Sequence, residues 1–288
     1  METQTFRIFK FILVPLLLAT VLVLYYGQEI KHEWVMRVDF QDIGQGDSIL
    51  ITTYEGNQVL IDGGPGSKVL EELGSNMPFF DRTIEMIMLT HPHADHFEGL
   101  IPVLRRYEVK QVLLPNIEMS NSSYTEFMNE AEREGAEIIY AQQGQRIYLD
   151  KSTVFDVMWP QSNQKVTPGK NDDLNDYSIV GKLTFGKTKI LFTGDSGINI
   201  EDQLLPKFNL DSDILKVGHH GSKHSTSQYF LDEVTPQYSV IQLGENKYGH
   251  PSKEVIERLK NSGTQILRND EQGSIEFYSD GFTLKLSE

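Results

Sequence analysis

The ten residues Thr90-His91-Pro92-His93-Ala94-Asp95-His96-Phe97-Glu98-Gly99 directly follow the apolar run Ile84-Glu85-Met86-Ile87-Met88-Leu89. Four side chains able to bind divalent metals, His91, His93, Asp95 and His96, therefore fall within six residues at the exit of a predicted buried strand. The chain has 8 histidines, and three stand here, a concentration that a solvated turn does not require. Read as an extended segment, the stretch projects residues 91, 93 and 95 to one side and His96 to another, so two neighbouring ions are expected.

Two later strand exits carry the same chemistry. Lys189-Ile190-Leu191-Phe192-Thr193 reads as a strand closed by Gly194-Asp195, where a carboxylate is well held and can bridge two cations. Ile214-Leu215-Lys216-Val217 runs into Gly218-His219-His220-Gly221-Ser222, in which glycines let the backbone come close while one imidazole points inward. Taken alone, a Gly-Asp pair is an ordinary turn signal. Three strand exits with matching donors are not explained by independent turns.

Outward from these exits the pattern alternates. Strands are predicted at 34–40, 48–52 and 58–62, an opening that reads as a run of strands rather than a βαβ unit. Helical spacing follows at 97–106, a strand at 111–114, an amphipathic helix at 122–134 closed by Gly135, and a strand at 137–141. A second group of strands covers 152–159, 177–185 and 189–193. Helices at 198–208, 226–234 and 252–261 then alternate with strands at 213–217 and 238–243, and strands close the chain from 265 to 286. Two strand-rich halves, each carrying helices, predict an α/β class fold: a four-layer α/β/β/α sandwich.

The chain has no cysteine, which excludes disulfides, thiolate-bound metal and a thiol nucleophile. Its net charge of −15 excludes a continuous basic footprint for polyanions, leaving a local patch at Lys216 and Lys223 to grip one phosphate. Arg7 and Lys10 precede the uncharged run Phe11 to Tyr26, and no small-residue cleavage signal follows at Gly27-Gln28-Glu29. Residues 1–29 are accordingly expected to form an N-terminal membrane-anchor helix, uncleaved in preference to a cleaved signal peptide, with residues 30–288 as one domain facing outward. Oligomeric state is not legible.

The set Asp42-Ile43-Gly44-Gln45-Gly46-Asp47, Leu60-Ile61-Asp62-Gly63-Gly64, the 91–96 motif, Thr193-Gly194-Asp195, Lys216-Val217-Gly218-His219-His220-Gly221-Ser222 and Tyr248-Gly249-His250-Pro251 resembles the metallo-β-lactamase superfamily. Within it, order and wording are similar to the extracytoplasmic hydrolase domain at the C-terminus of the ComEC competence family. The resemblance implies His91 and His93 on one metal, Asp95 and His96 on a second, Asp195 bridging, and His219 as the last histidine, with His220 as the fallback. The third histidine usual for the first site is missing; Asn175-Asp176-Tyr177-Ser178 stands in its place. That leaves Asp176, one of the paired histidines, or weak occupancy, and oxygen-richer ligation tilts the cofactors, two divalent ions, from Zn2+ towards Mn2+.

Such a pair of ions implies hydrolysis, with a water acidified from 15.7 towards about 7 and the oxygens of an in-line phosphoryl displacement clamped. Asp95 is expected to orient the attacking water, and His250 and Ser222 to hold the leaving oxygen or a phosphate, with Lys223 and His224 weaker candidates. The resemblance favours a phosphodiesterase or nuclease acting on nucleic acid. Two alternatives are a hydrolase of a phosphorylated envelope polymer or small ester, and a non-catalytic metal-binding accessory of DNA uptake.

Overall fold

A computed structural model describes residues 11–22, 35–170 and 172–287. Residues 11–22 are helical, α1. No helix among the described residues is long and apolar enough to cross a membrane. The rest of the expected anchor, residues 1–10 and 23–29, lies outside the described residues.

Met36–Glu288 forms a separate compact unit. Its first half contains β1 (Met36–Phe40), β2 (Ile49–Thr52), β3 (Gln58–Ile61), α2 (Lys68–Asn76), β4 (Thr83–Met88), α3 (Ala94–Phe97), α4 (Leu100–Leu104), β5 (Glu108–Leu114), α5 (Ser122–Glu134) and β6 (Glu137–Tyr140). The second half runs β7 (Arg146–Tyr148), β8 (Thr153–Trp159), β9 (Val180–Phe185), β10 (Thr188–Phe192), α6 (Ile198–Leu204), β11 (Ile214–Lys216), α7 (Gln228–Val234), β12 (Tyr238–Ile241), α8 (Lys253–Ser262), β13 (Gln265–Arg268) and α9 (Asn269–Gln272). Two closing strands, β14 (Ile275–Ser279) and β15 (Leu284–Leu286), return to the first half.

The strands make two sheets, an eight-stranded one in the order β15-β14-β1-β2-β3-β4-β5-β6 and a seven-stranded one in the order β13-β12-β11-β10-β9-β8-β7. Alternation along β1 explains why they stack: Met36, Val38 and Phe40 enter the layer between the sheets, joined by Phe155, Phe192 and Phe277. The opposite faces are also apolar. Leu50, Leu60 and Ile87 pack under helices α2, α4 and α5 through Leu73, Leu100 and Phe127, and Leu191, Leu215 and Ile241 pack under α6, α7 and α8 through Leu204, Phe230 and Leu259. Three apolar layers between four layers of elements give the α/β/β/α sandwich.

The opening, β1 to β3, is the expected antiparallel run of strands; after it, α2 carries the chain to β4, which pairs with β3 in parallel, a βαβ step that the sequence reading did not include. Pro65-Gly66-Ser67 and Gly74 hide the helix in the sequence, since only Val69 and Leu73 are buried in its nine residues. The parallel runs β3-β4-β5 and β10-β11-β12 place the exits of β4, β10 and β11 at one edge, where the metal-capable residues sit.

Candidate metal centre

Leu89 and Thr90 leave β4 with Thr90 tied down on two sides: its N–H and Oγ1 both donate to the Asp62 carboxylate, at 2.7 and 2.6 Å. His91 follows in a fully buried position. The chain then turns into α3, so Asp95 and His96 lie on a short helix rather than on an extended segment, and successive helical residues diverge by about 100°. His96 faces inward and donates through Nδ1 to Asp62 Oδ2 at 2.8 Å, which aims Nε2 at the cluster. Asp95 stays at the mouth, its side chain one-third exposed.

Asp195 enters from β10, its N–H donating to Ser178 Oγ at 3.1 Å. Its Oδ2 stands 3.4 Å from His96 Nε2, 3.4 Å from His220 Nε2 and 3.9 Å from His91 Nε2, and His220 Nε2 is 3.5 Å from Asp95 Oδ2. Ligands about 2.0–2.1 Å from a tetrahedral ion stand about 3.4 Å from one another, so these are donor separations around an ion rather than good hydrogen bonds. The triads His91-His96-Asp195, Asp95-His96-His220 and Asp47-Asp195-His220 each converge within 4.8 Å. His96 Nε2, His220 Nε2, Asp47 Oδ1 and Asp195 Oδ1 are buried without hydrogen-bond partners among the described residues. Orphaned nitrogen and carboxylate donors aimed at common points fit divalent ions, and little else would satisfy them.

The structure brings His220, the fallback, into the donor cluster and leaves His219 out of it. Both adopt left-handed backbone angles (φ 48° and 51°), sparsely populated for non-glycine residues. The turn drops the second imidazole inside, where Nδ1 donates to Gln242 O at 2.8 Å and leaves Nε2 free to ligate. His219 remains at the rim, beside the Asn175 amide and 5.5 Å from the His250 ring centroid. Gly218 is required here, since a Cβ would sit 2.9 Å from Ser196 O. His93 packs Nδ1 against His91 Nε2 at 2.9 Å, next to the tight triads but in none of them.

Other expected residues are placed elsewhere. Asp176 Oδ1 accepts from Asn199 Nδ2 at 2.8 Å and does not join the cluster. Ser222 is buried in its own turn and its Oγ accepts from His224 N. Lys216 cannot grip a phosphate: its side chain is 1 % exposed and its Nζ lies 2.7 Å from Asp47 Oδ2. Lys223 and His224 line a separate open cleft with Glu254 and Arg258. Asp47 and Asp62 carry roles that pattern reading did not assign, one backing His220 and the other holding His96.

Electrostatics follow from this packing. Burial drives the His91 pKa well below its ordinary value, so the ring is neutral, the ligating form. Burial also opposes charge on His96 and His220, but Asp195, with Asp62 beside one ring and Asp47 beside the other, outweighs it and raises both, His220 to about 10. Burial opposes charge on Asp195 too, yet the surrounding imidazoles hold its carboxyl well below the usual range. Divalent ions would take the place of these protons.

The Metallo-beta-lactamase superfamily family model matches residues 42–245. ComE operon protein 3 of Bacillus subtilis (strain 168) is 29% identical over 259 residues, covering 83% of the chain and 32% of that protein. Competence protein ComA of Neisseria gonorrhoeae is 30% identical over 256 residues, covering 88% of the chain and 33% of that protein. The chain thus spans about a third of the length of these curated relatives. Among solved structures, the metallo-beta-lactamase fold protein YhfI from Bacillus subtilis superposes with a TM-score of 0.57 at 13% identity, over 84% of the chain and 99% of YhfI.

Proposed function

The chain belongs to the metallo-β-lactamase superfamily and is similar to competence proteins of the ComEC family, and from that premise we propose that it is a two-ion phosphodiesterase acting on nucleic acid. Its site is a donor set for divalent metal, and the superfamily consists mostly of metal-dependent hydrolases. The carrying observation is Asp195: one buried carboxylate faces His91, His96 and His220 together, the arrangement of a bridging ligand. His91, His93 and Asp195 would hold one ion, and Asp95, His96, His220 and Asp195 the other; the imidazoles suit Zn2+ and the carboxylates Mn2+. Ions held there would acidify a water towards about 7 and offset charge on phosphoryl oxygens.

The chain's own residues supply the rest. Asp62 and the Gln242 carbonyl fix two imidazoles so that their Nε2 atoms need no reorganisation. Asp95, at the mouth and ionised, is placed to hold a proton of the attacking water. His250 lies one ring beyond His219 with Nδ1 unpartnered among the described residues, and burial, then His219, lowers its pKa; a neutral imidazole there would be available to the leaving oxygen.

Purified protein loaded with Mn2+ or Zn2+ should hydrolyse bis(p-nitrophenyl) phosphate, and Asp95→Ala should abolish the activity. Equal rates in wild type and variant would refute the assignment. The net charge of −15 favours a second reading, a phosphorylated envelope polymer as substrate, so single-stranded DNA and a teichoic polymer should be digested side by side. We further propose an outward-facing domain held by the N-terminal apolar run; protection from added protease until cell lysis would contradict it.

A further inference from the structure

The loop between β12 and α8 is built around one side chain. Asn246 Nδ2 donates to Gly244 O and His250 O, at 3.0 and 2.9 Å, while its Oδ1 accepts from Tyr248 N and His250 N, both at 3.1 Å. Gly244 seats the loop against Gly44 so closely that a Cβ would lie 2.5 Å from the Gly44 carbonyl carbon. On this fixed loop Tyr248 is 64% exposed. A rigid loop that holds a large ring in water gains nothing for folding.

That ring ends a series leading out of the metal cluster. His220 and His219 have ring centroids 6.3 Å apart, His219 and His250 5.5 Å, and His250 and Tyr248 6.0 Å, the last pair stacked at 24°. Lys247 Nζ lies 5.9 Å from the Tyr248 centroid, a cation beside the exposed ring. The net charge is −15, and Lys216, beside the cluster, is consumed inside by Asp47. Stacking on an aromatic face supplies binding free energy that does not come from phosphate neutralisation, about 1–3 kcal/mol per base.

We infer that Tyr248 is a nucleobase-stacking platform, and that the substrate is a single strand whose unpaired base lies on this ring while a phosphodiester beside it reaches the metal cluster. The inference rests on the phosphodiesterase reading and adds a base to what the site recognises. A flat base continues the near-parallel stack that His250 and Tyr248 begin. In a duplex the face would be covered by its neighbours, so double-stranded substrate is excluded from the subsite.

The test compares a hexameric oligothymidylate with its abasic counterpart, which has the same phosphodiester backbone and charge, on metal-loaded full-length protein. Wild type should prefer the oligothymidylate; Tyr248→Ala should lower kcat/KM for it by about 5- to 150-fold relative to the abasic strand, the cost of one lost stack. Tyr248→Phe, which keeps the ring, should keep the preference. Wild type that cleaves both strands equally, or Tyr248→Ala that keeps the preference, overturns the platform and leaves the phosphodiesterase standing. If bis(p-nitrophenyl) phosphate and a glycerol-phosphate polymer are cleaved but neither strand is, the nucleobase platform is overturned. If no diester is cleaved, the phosphodiesterase reading falls and takes this inference with it.

Discussion

Replacing Lys216 by methionine should be among the most damaging single changes outside the metal ligands. The side chains of Lys216 and Asp47 are 1% and 2% exposed, and Nζ–Oδ2 is 2.7 Å. Burial alone would push the Asp47 carboxyl up, but Lys216 and then His220 hold it below the ordinary range, so Asp47 is a carboxylate at neutral pH. Methionine keeps most of the apolar stem and removes the charge. Asp47 then loses its nearest cation and keeps only His220, at 3.4 Å, so the cost is at most the about 3–5 kcal/mol of a broken buried pair. Against a total of about 5–15 kcal/mol, that leaves a marginal domain, and at about 2–4 °C per kcal/mol the melting temperature should fall by at most roughly 6–20 °C. Urea denaturation followed by far-ultraviolet circular dichroism, in chelator so that metal does not mask the loss, measures it. A second variant, Lys216→Met with Asp47→Asn, removes both charges and should recover most of the deficit. A single variant within about 1 kcal/mol of wild type, or a double variant no better than the single, would refute the buried-pair reasoning.

Two further outcomes follow. His220→Ala should lower bound metal by inductively coupled plasma mass spectrometry to about half of wild type, whereas His219→Ala should retain it; the reverse ranking would return the ligand role to His219. Asp39, 2% exposed on β1, has its carboxyl pushed by burial from 3.8 up to about 7. The folded state then keeps a proton that the unfolded chain releases, so stability is full below about pH 3.8 and declines, by up to about 1.4 kcal/mol per pH unit, as pH rises through 7. Asp39→Asn should flatten that decline in urea titrations between pH 5 and 8; parallel slopes would contradict it.

How much of this was legible in the sequence depends on the range of the interaction. The helix at Ser122–Glu134 could be placed by local signals: Asn121 Oδ1 caps Ser123 N at 2.8 Å, and Gly135 stops it at φ 81°. The strand exits that gather His91, Asp95, His96 and Asp195 were equally visible, because a buried strand ending in polar donors is a one-dimensional pattern. The choice between His219 and His220 was not visible, since two consecutive non-glycine residues in the left-handed region are set by Gln242 and the surrounding strands, not by local propensity. Lys216 misled for a related reason. Its partner Asp47 is remote in sequence and meets it only once the two sheets have packed, so a buried ion pair read as a free cation.

The closing strands impose an order on biosynthesis. β1 hydrogen-bonds β2 on one side and β14 on the other, with Phe40 opposite Ile275 and Met36 opposite Ser279. A nascent chain made from its N-terminus therefore exposes one edge of β1 until residue 279 has emerged, and an open strand edge is a template for misassociation. The metal-binding edge can approach completion while that flank is still unpaired. Loss of β14 and β15 would thus open an aggregation-prone edge while leaving the donor set itself untouched.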